Sequence, residues 1–277
     1  MGTRIIAGLT GLAVLLPLII FGGFYAIFGL AVIALLIAQD EYASMAMPEA
    51  KGLARAILLP GGVLVFSAAI FAPVPALIPA ITLLWILATV LPMLRTEDVN
   101  LAAQQAIRLG FGLIYVPLLL APLLWLRREP DGLTLIFLVL AVTWLGDTGA
   151  YFAGRFAGKT PLFPRVSPKK TREGVVGGVL LAVVGALLVK VIGDQLLPWG
   201  AEQPIALGWI SLIFLGVGLD LAGVLGDLVE SMLKRAFGVK DSGWIMPGHG
   251  GILDRVDSLL FSGPLLWALL QVRTLLP

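Results

Sequence analysis

The sequence has no cysteine and only one histidine, His249. Without cysteine there is no disulfide framework, no thiolate metal site and no cysteine nucleophile, so a catalytic metal must be held by oxygen atoms or by His249. Charge is also scarce, because only 13% of the residues are charged, while 59% are hydrophobic and the mean hydropathy is +1.00. A soluble domain needs a charged surface, so this scarcity excludes a soluble protein and predicts a surface that faces lipid.

Apolar runs long enough to cross the hydrocarbon layer of a membrane, which takes about 17 to 25 residues each, recur along the chain. They predict an all-α, polytopic integral membrane protein with about nine transmembrane helices. The first two runs are joined only by Phe21 and Gly22, so they could instead form a helical hairpin or one broken helix, for a total of eight. The runs lie near Ile5–Ile20, Gly23–Ala38, Ala54–Phe71, Ala76–Leu94, Gly110–Leu126, Gly132–Tyr151, Val175–Ile192, Ile205–Leu225 and Ser258–Leu276.

Basic residues are concentrated in two connections between the later runs, and their placement predicts orientation through the positive-inside rule. The connection between them, Gly193–Pro204, contains Asp194 and Glu202 but no basic residue. Two runs separate the basic connections, so both are predicted to face the cytoplasm and the acidic one the opposite side. The basic residues are Arg155, Lys159, Arg165, Lys169, Lys170 and Arg172 in the first connection and Lys234, Arg235, Lys240 and Arg255 in the second.

Acidic residues within or beside apolar runs are functional candidates, because a carboxylate in the bilayer is costly unless it faces water, a metal or a partner. Asp147 lies near the end of the sixth run. Asp220, Asp227 and Glu230 follow on the eighth run and its extension, where offsets of seven and three place them near one helix face. This stripe predicts a helix that leaves the membrane while lining a hydrophilic cavity. The alternative for each acid is a salt-bridged residue at the interface, and Glu230 is interpreted as the i+4 partner of Lys234.

A glycine-rich segment, Lys240–Asp257, ends in charged residues directly before the ninth run. Its glycines permit tight turns and close approach of backbone N–H groups to phosphate. Asp254 and Asp257 are one helical turn apart, and a few carboxylates completed by substrate phosphates are what Mg²⁺ prefers. The segment therefore predicts a phosphate and Mg²⁺ site, although loop glycines are often only turns and a lone histidine is often structural.

The first basic connection contains Ser167–Thr171, with Lys169 and Lys170 side by side just before the seventh run. One interpretation is an orientation signal that also attracts anionic lipids. The other is a pair of point charges that neutralise a triphosphate. Residue types alone do not separate the two.

The run from Ser231 to Asp257 resembles the signature of the phosphatidate cytidylyltransferases, also called CDP-diacylglycerol synthases. Asp147–Tyr151 and Ser167–Thr171 resemble that family's other recurring segments, so the resemblance covers the C-terminal half in motif detail. A dozen matching positions over 27 residues are highly specific, and the departure at Met246, where Ile, Leu or Phe is usual, is minor. The matching residues are Ser231, Lys234, Arg235, Lys240, Asp241, Pro247, His249, Gly250, Gly251, Asp254, Arg255 and Asp257.

The resemblance implies that CTP and phosphatidate are converted into CDP-diacylglycerol and pyrophosphate in phospholipid biosynthesis, with Mg²⁺ required. It implies metal binding by Asp227 and Asp254 and leaves open a second, monovalent cation such as K⁺. Catalysis is assigned to these two aspartates together with Lys234 and Arg235. Substrate binding is assigned to Asp147, Ser167, Lys169, Lys170, Lys240, Asp241, His249, Arg255 and Asp257.

Such a reaction must bring two anions together, so cancelling their repulsion is the main physical task. A phosphate monoester is already largely ionised near neutral pH, and no strong general base is needed. His249 is therefore expected to bind phosphate or to shape the loop rather than to catalyse.

The expected organisation is a single transmembrane domain over residues 1–277, with the spans within 1–126 as scaffold and residues 132–277 carrying the catalytic motifs. The expected partners are CTP, phosphatidate and membrane lipids, a homodimer is left open, and no nucleic acid is expected. The expected location is a bacterial cytoplasmic membrane, with the site facing the cytoplasm.

Two other functions compete with this one. A CTP-dependent polyprenol or phytol kinase would also be polytopic and would also need metal and lysines, but the long signature argues against it. An ion-coupled transporter could use Asp147, Asp220 and Asp227 as a relay, but transporters place such acids near the midplane in repeated halves. No repeat is visible in this sequence, and its acids gather toward the predicted cytoplasmic side.

Overall fold

The protein is described here from a computed structural model, which covers residues 13–196, 206–245 and 250–275. Helices dominate these residues and follow the order of the apolar runs. The helices are α1 (13–21), α2 (Gly23–Ala46), α3 (Lys51–Phe71), α4 (Val74–Arg95), α5 (Val99–Arg128), α6 (Gly132–Ala157), α7 (Arg172–Leu196), α8 (Trp209–Ala236), α9 (Leu253–Val256) and α10 (Leu259–Leu275), with a 3₁₀ turn at Pro48–Ala50 before α3.

Seven of the described helices are long and apolar enough to cross a membrane, namely α2 to α8, with the 3₁₀ turn counted as part of the second. This confirms an all-α polytopic membrane protein, whereas the count of nine is not confirmed. The predicted first run lies partly outside the described residues, which include only helix 13–21. The predicted ninth run corresponds to α10, which has 17 residues and one proline, Pro264, inside it.

The chain divides into two compact units. The first contains the described residues up to Leu124 together with Phe237–Arg255. In this unit α2 packs against α3 and α3 packs against α4. Buried polar bonds tie α2 to α5, because the Gln39 amide donates to the Gly112 carbonyl at 3.0 Å and the Tyr42 hydroxyl donates to the Arg108 carbonyl at 2.8 Å.

The second unit contains Trp125–Ala236 and the described residues from Val256 onward. Here α6 packs along α7, α7 along α8, and α8 along α10. Small residues bring α6 and α7 together, since a Cβ added to Gly149 would lie 2.4 Å from the carbonyl oxygen of Gly177. Such close backbone approach is the usual way in which helices associate in lipid, where apolar burial alone gives little driving force.

The first basic connection folds into an antiparallel hairpin of β1 (Pro161–Phe163) and β2 (Ser167–Thr171), which sequence patterning did not predict. The hairpin joins directly to α7, whose first turn is capped by the Thr171 hydroxyl accepting from the Gly174 N–H at 3.1 Å. The Glu173 carboxylate also accepts from the Lys159 and Thr160 N–H groups at 3.1 Å each. The basic segment is therefore ordered against the start of a membrane helix.

Helix α8 runs unbroken through Asp220, Asp227 and Lys234, as the polar stripe predicts. It ends two residues before Gly238, which adopts φ +74°. This left-handed conformation is the common glycine stop for a helix. The stop lets the chain turn away before the glycine-rich segment.

Candidate active site

Acidic side chains from three elements gather in the second unit. Helix α6 supplies Asp147, α8 supplies Asp220 and Asp227, and the turn before α10 supplies Asp257. Asp147 and Asp220 line one narrow cavity, and Asp227 and Asp147 both lie within electrostatic range of Asp257. These four residues are called the acidic cluster below.

Lys170 on β2 supplies the positive charge within the acidic cluster. Its ammonium lies 2.7 Å from Asp227 Oδ2, and its charge also acts on Asp220 and Asp257. Lys169, one residue earlier on the same strand, is exposed. Because adjacent strand residues point to opposite faces, the hairpin directs only one of the two predicted lysines at the acids.

Asp220 is the deepest acid of the acidic cluster, with 5% of its surface exposed. It fits because Gly146 leaves room, since a Cβ added there would lie 1.9 Å from Asp220 Oδ1. Its other oxygen, Oδ2, is buried and has no hydrogen-bond partner among the described residues. A buried carboxylate oxygen without a partner is costly, so this position needs a proton or a cation.

Asp257 is nearly as buried as Asp220. Burial, together with the negative charge of Asp227, raises the pKa of Asp257 to about 7, although the Ser258 N–H donates to its carboxylate at 2.6 Å. Burial and a neighbouring carboxylate thus both favour the protonated form of Asp257.

Glu230 forms an ion pair with Lys234, whose ammonium lies 2.5 Å from Glu230 Oε2. This confirms the predicted i+4 partnership. The pair is buried, with side-chain exposures of 0% for Glu230 and 11% for Lys234. The helix-face pair is therefore internal, and it holds the Lys234 side chain inside the protein.

The remaining predicted site residues divide by exposure. Ser167 is half-buried at the start of β2, and Ser231 donates to Asp227 Oδ1 at 3.1 Å. His249 and its neighbours 246–248 lie outside the described residues. The exposed ones are Arg235, Lys240, Asp241 and Arg255.

The glycine-rich segment belongs to the first unit up to Arg255, and Asp254 organises it. Asp254 Oδ2 accepts from the Ser242 N–H at 3.0 Å, from the Ser242 hydroxyl at 2.8 Å and from the Gly251 N–H at 2.8 Å. A carboxylate that accepts several N–H bonds is held in one orientation. Asp254 therefore joins Ser242 to Gly251.

Glu41 on α2 is a buried acid that sequence reasoning missed. Its carboxylate accepts from the Ile252 N–H at 3.0 Å and from the Leu253 N–H at 2.8 Å. The Ser242 hydroxyl lies 3.2 Å from Glu41 Oε2. The available signal was an acidic residue beside an apolar run, because Glu41 lies three residues after the end of the second run.

The donor chemistry of these residues fits Mg²⁺. All the acids offer oxygen, and the acidic cluster carries four carboxylates against Lys170, with Asp220 Oδ2 buried and unpartnered. Within residues 13–196, 206–245 and 250–275, no three acidic or histidine side chains form a ready-made metal site. Mg²⁺ usually takes only one or two carboxylates and completes its shell with water and substrate phosphates, so this arrangement is compatible with it.

The sequence is similar to a known protein family and to individual bacterial proteins. A family model described as the cytidylyltransferase family matches residues 2–273. The phosphatidate cytidylyltransferase of Bacillus subtilis (strain 168) is 47% identical over 141 residues, which are 51% of this chain and 49% of the relative. That of Staphylococcus saprophyticus is 49% identical over 144 residues, 52% of each chain, and that of Staphylococcus aureus (strain COL) is 46% identical over the same share. The chain thus spans about half the length of the curated relatives it matches.

Proposed function

The chain belongs to the cytidylyltransferase family, and from this premise we propose that it is a membrane-embedded phosphatidate cytidylyltransferase. The proposed reaction converts CTP and phosphatidate into CDP-diacylglycerol and pyrophosphate. The observation that carries the proposal is the acidic cluster around Lys170, beside helices that can cross a membrane. Such a place can hold a cation and receive phosphate groups while the acyl chains of the lipid stay in the bilayer.

The reaction is a displacement at phosphorus. A phosphate oxygen of phosphatidate forms a new bond to the α-phosphorus of CTP, while the bond from that phosphorus to the α,β-bridging oxygen breaks. Pyrophosphate leaves with the electron pair of the broken bond. The nucleophile is already ionised near neutral pH, so the protein has to position the two phosphates and offset their charge.

Lys170 is the residue best placed to offset charge. Its ammonium has three donors and already contacts Asp227, so it can keep that contact and donate to a phosphate oxygen. Lys169 and Arg235 in the second unit, and Lys240 and Arg255 in the first, are exposed, so each can attract the triphosphate through its own charge. Lys234 differs from these exposed residues, because its ion pair with Glu230 is buried inside the protein.

We assign Mg²⁺ binding to Asp227 and Asp254, on the resemblance of the signature and on their oxygen donors. When bound, Mg²⁺ neutralises phosphate charge and polarises the α-phosphate. Asp227 is held in place by Ser231 and Lys170, and Asp254 by Ser242 and Gly251. A monovalent cation such as K⁺ is a further part of the proposal.

The direct test supplies purified protein with CTP labelled in the cytidine ring and with phosphatidate in detergent micelles. The expected result is pyrophosphate release together with labelled lipid, both abolished by a chelator and restored by Mg²⁺. Release of CDP with phosphorylation of a polyprenol or phytol would instead support the kinase. Ion uptake into vesicles without any cytidine product would support the transporter.

We also propose that the site faces the cytoplasm of a bacterial cell. The test places single cysteines in this cysteine-free chain at Thr160, Lys240 and Gly200 and labels them from one side of the membrane. Positions 160 and 240 should react from the cytoplasmic side and position 200 from the other side. Opposite sidedness of 160 and 240 contradicts the proposed orientation.

A further inference from the structure

Glu41 joins helix α2 to a segment more than two hundred residues later in the sequence. It is buried, with 7% of its surface exposed, and its neighbour Asp40 instead faces outward to pair with Arg55. A buried carboxylate is costly unless donors surround it, and here the donors come from the glycine-rich segment. The Glu41 carboxylate therefore stabilises the backbone of that segment rather than α2 itself.

The bonds to Glu41 are divided between its two oxygens. Oε1 accepts from the Ile252 N–H at 3.0 Å, while Oε2 accepts from the Leu253 N–H at 2.8 Å. The Ser242 hydroxyl lies 3.2 Å from Glu41 Oε2 and 2.8 Å from Asp254 Oδ2. This hydroxyl has one proton and lies between the two carboxylates, with Asp254 the nearer acceptor. Glu41 holds the backbone just before Asp254.

Glycines make room for this carboxylate. A Cβ added to Gly243 would lie 2.4 Å from Glu41 Oε1, and a Cβ added to Gly251 would lie 2.4 Å from both carboxylate oxygens. Gly251 would also meet the Ser242 hydroxyl at 2.3 Å. At these two positions the lack of a side chain lets the backbone lie against the end of the Glu41 side chain.

We propose that Glu41 is a positioning residue, which fixes the backbone of residues 251–253 and so orients the Asp254 carboxylate. The anchoring stands on the hydrogen bonds alone. Its consequence for turnover rests on the proposed function, in which Asp254 binds Mg²⁺. Glu41 itself touches neither substrate nor metal in this assignment.

The test compares Glu41→Gln with the matched control Asp40→Asn, each in the whole 277-residue chain. Glutamine has one acceptor oxygen where glutamate has two, so it can satisfy only one of the two N–H donors, from Ile252 and Leu253. Asp40→Asn removes the same charge at the adjacent position, where the ion pair is exposed and weak.

The first readout is amide hydrogen exchange, which needs no substrate. Peptides covering residues 251–255 should exchange roughly tenfold faster or more in Glu41→Gln, because a charge-assisted bond is lost, and should be unchanged in Asp40→Asn. Unchanged exchange in Glu41→Gln, or equal acceleration in both variants, overturns the proposal.

The second readout is the Mg²⁺ dependence of pyrophosphate release. Glu41→Gln should raise the Mg²⁺ concentration for half-maximal activity by roughly 10- to 100-fold, as expected for a residue that orients a ligand, and leave the KM for phosphatidate little changed. A fall in kcat with unchanged Mg²⁺ dependence overturns the positioning role. If the wild type makes no CDP-diacylglycerol, the proposed function fails, while the exchange experiment still decides whether Glu41 anchors the segment.

Should Glu41→Gln fail to insert or fold, Ser242→Ala serves instead. This change removes only the hydroxyl that lies between Glu41 and Asp254. Amide exchange near Gly251 should accelerate by a few-fold at most, and the Mg²⁺ concentration for half-maximal activity should rise. A Ser242→Ala protein with wild-type Mg²⁺ dependence contradicts the link.

Discussion

Asp227 and Asp254, the two acids assigned to Mg²⁺, are held by different means. Asp227 stands on a long helix and is neutralised by a lysine, with its ammonium 2.7 Å away. Asp254 stands in a glycine-rich segment, where its Oδ2 accepts from the N–H groups of Ser242 and Gly251 and from the Ser242 hydroxyl. An ion pair offsets charge, whereas N–H donors chiefly fix orientation.

The two carboxylates are therefore fixed in position by different parts of the structure. The helix itself supplies the geometry of Asp227, because its backbone hydrogen bonds are local and complete. The backbone just before Asp254 is held by a side-chain acceptor from a distant helix, because Glu41 accepts from the Ile252 and Leu253 N–H groups. Loss of Lys170 should therefore change the charge balance around Asp227, whereas loss of Glu41 should disorder the backbone around Asp254.

The largest effect is expected when either acid is neutralised. Asp227→Asn and Asp254→Asn should each reduce turnover on the order of a thousandfold, because each removes a charge assigned to Mg²⁺. The double variant should be little worse than either single one if the two act as a unit. The measurement is pyrophosphate release over a range of Mg²⁺ concentrations.

Hydrogen exchange sharpens the same comparison. Asp254→Asn should also loosen the Ser242 and Gly251 amides, whereas Asp227→Asn should leave them protected. Multiplicative losses in the double variant, or near-normal metal-dependent turnover in one single variant, contradict a shared role.

A smaller effect is expected from Lys170→Gln. Removing the ammonium leaves Asp227 without its cationic partner and should cost about 1.5 to 3 kcal/mol, or roughly 10- to 150-fold in kcat/KM for CTP. Lys169→Gln should cost less, since Lys169 is exposed and contributes only longer-range attraction. Equal losses for the two lysines would show that the hairpin does not distinguish them.

A still smaller effect on turnover is expected from Glu230→Gln, although the protein should become less stable. The change removes the carboxylate charge of a buried ion pair and should lower the free energy of unfolding by about 3 to 5 kcal/mol. Glu49→Gln is the matched control, because its pair with Arg108 is partly exposed at 3.5 Å and should contribute under about 1 kcal/mol. Thermal unfolding and residual activity are measured together, and a dead but fully stable Glu230→Gln protein contradicts this interpretation.

The smallest effect is expected from Thr171→Ala, which removes the cap that joins the Lys170 hairpin to α7. Loss of an N-cap typically costs about 1 kcal/mol, so turnover should fall only severalfold at most. Thr148→Ala is the control, since the Thr148 hydroxyl donates to the Trp144 carbonyl within its own helix and does not cap α7. A loss as large as that of Lys170→Gln would show that the hairpin, rather than the lysine charge, is the sensitive feature.

Much of the fold follows from patterns that are local in the sequence. Apolar runs of sufficient length predict membrane helices, and seven of the predicted runs correspond to described helices that meet that criterion. The i+4 spacing predicts the pairing of Glu230 with Lys234, and the seven-residue spacing predicts that Asp220 and Asp227 share a helix face. These predictions work because helical geometry depends on neighbours within a few residues.

Sequence alone therefore determined the membrane character, the helical class, the family resemblance and the residue types of the site. Tertiary structure alone decided that Lys170 rather than Lys169 meets Asp227, because the hairpin register selects one face of the strand. It also decided that Glu41 supports the segment that carries Asp254, since the chain folds α2 against residues more than two hundred positions away. Composition and spacing carry no information about such distant pairings, because they depend on how packed helices bring separate parts of the chain together.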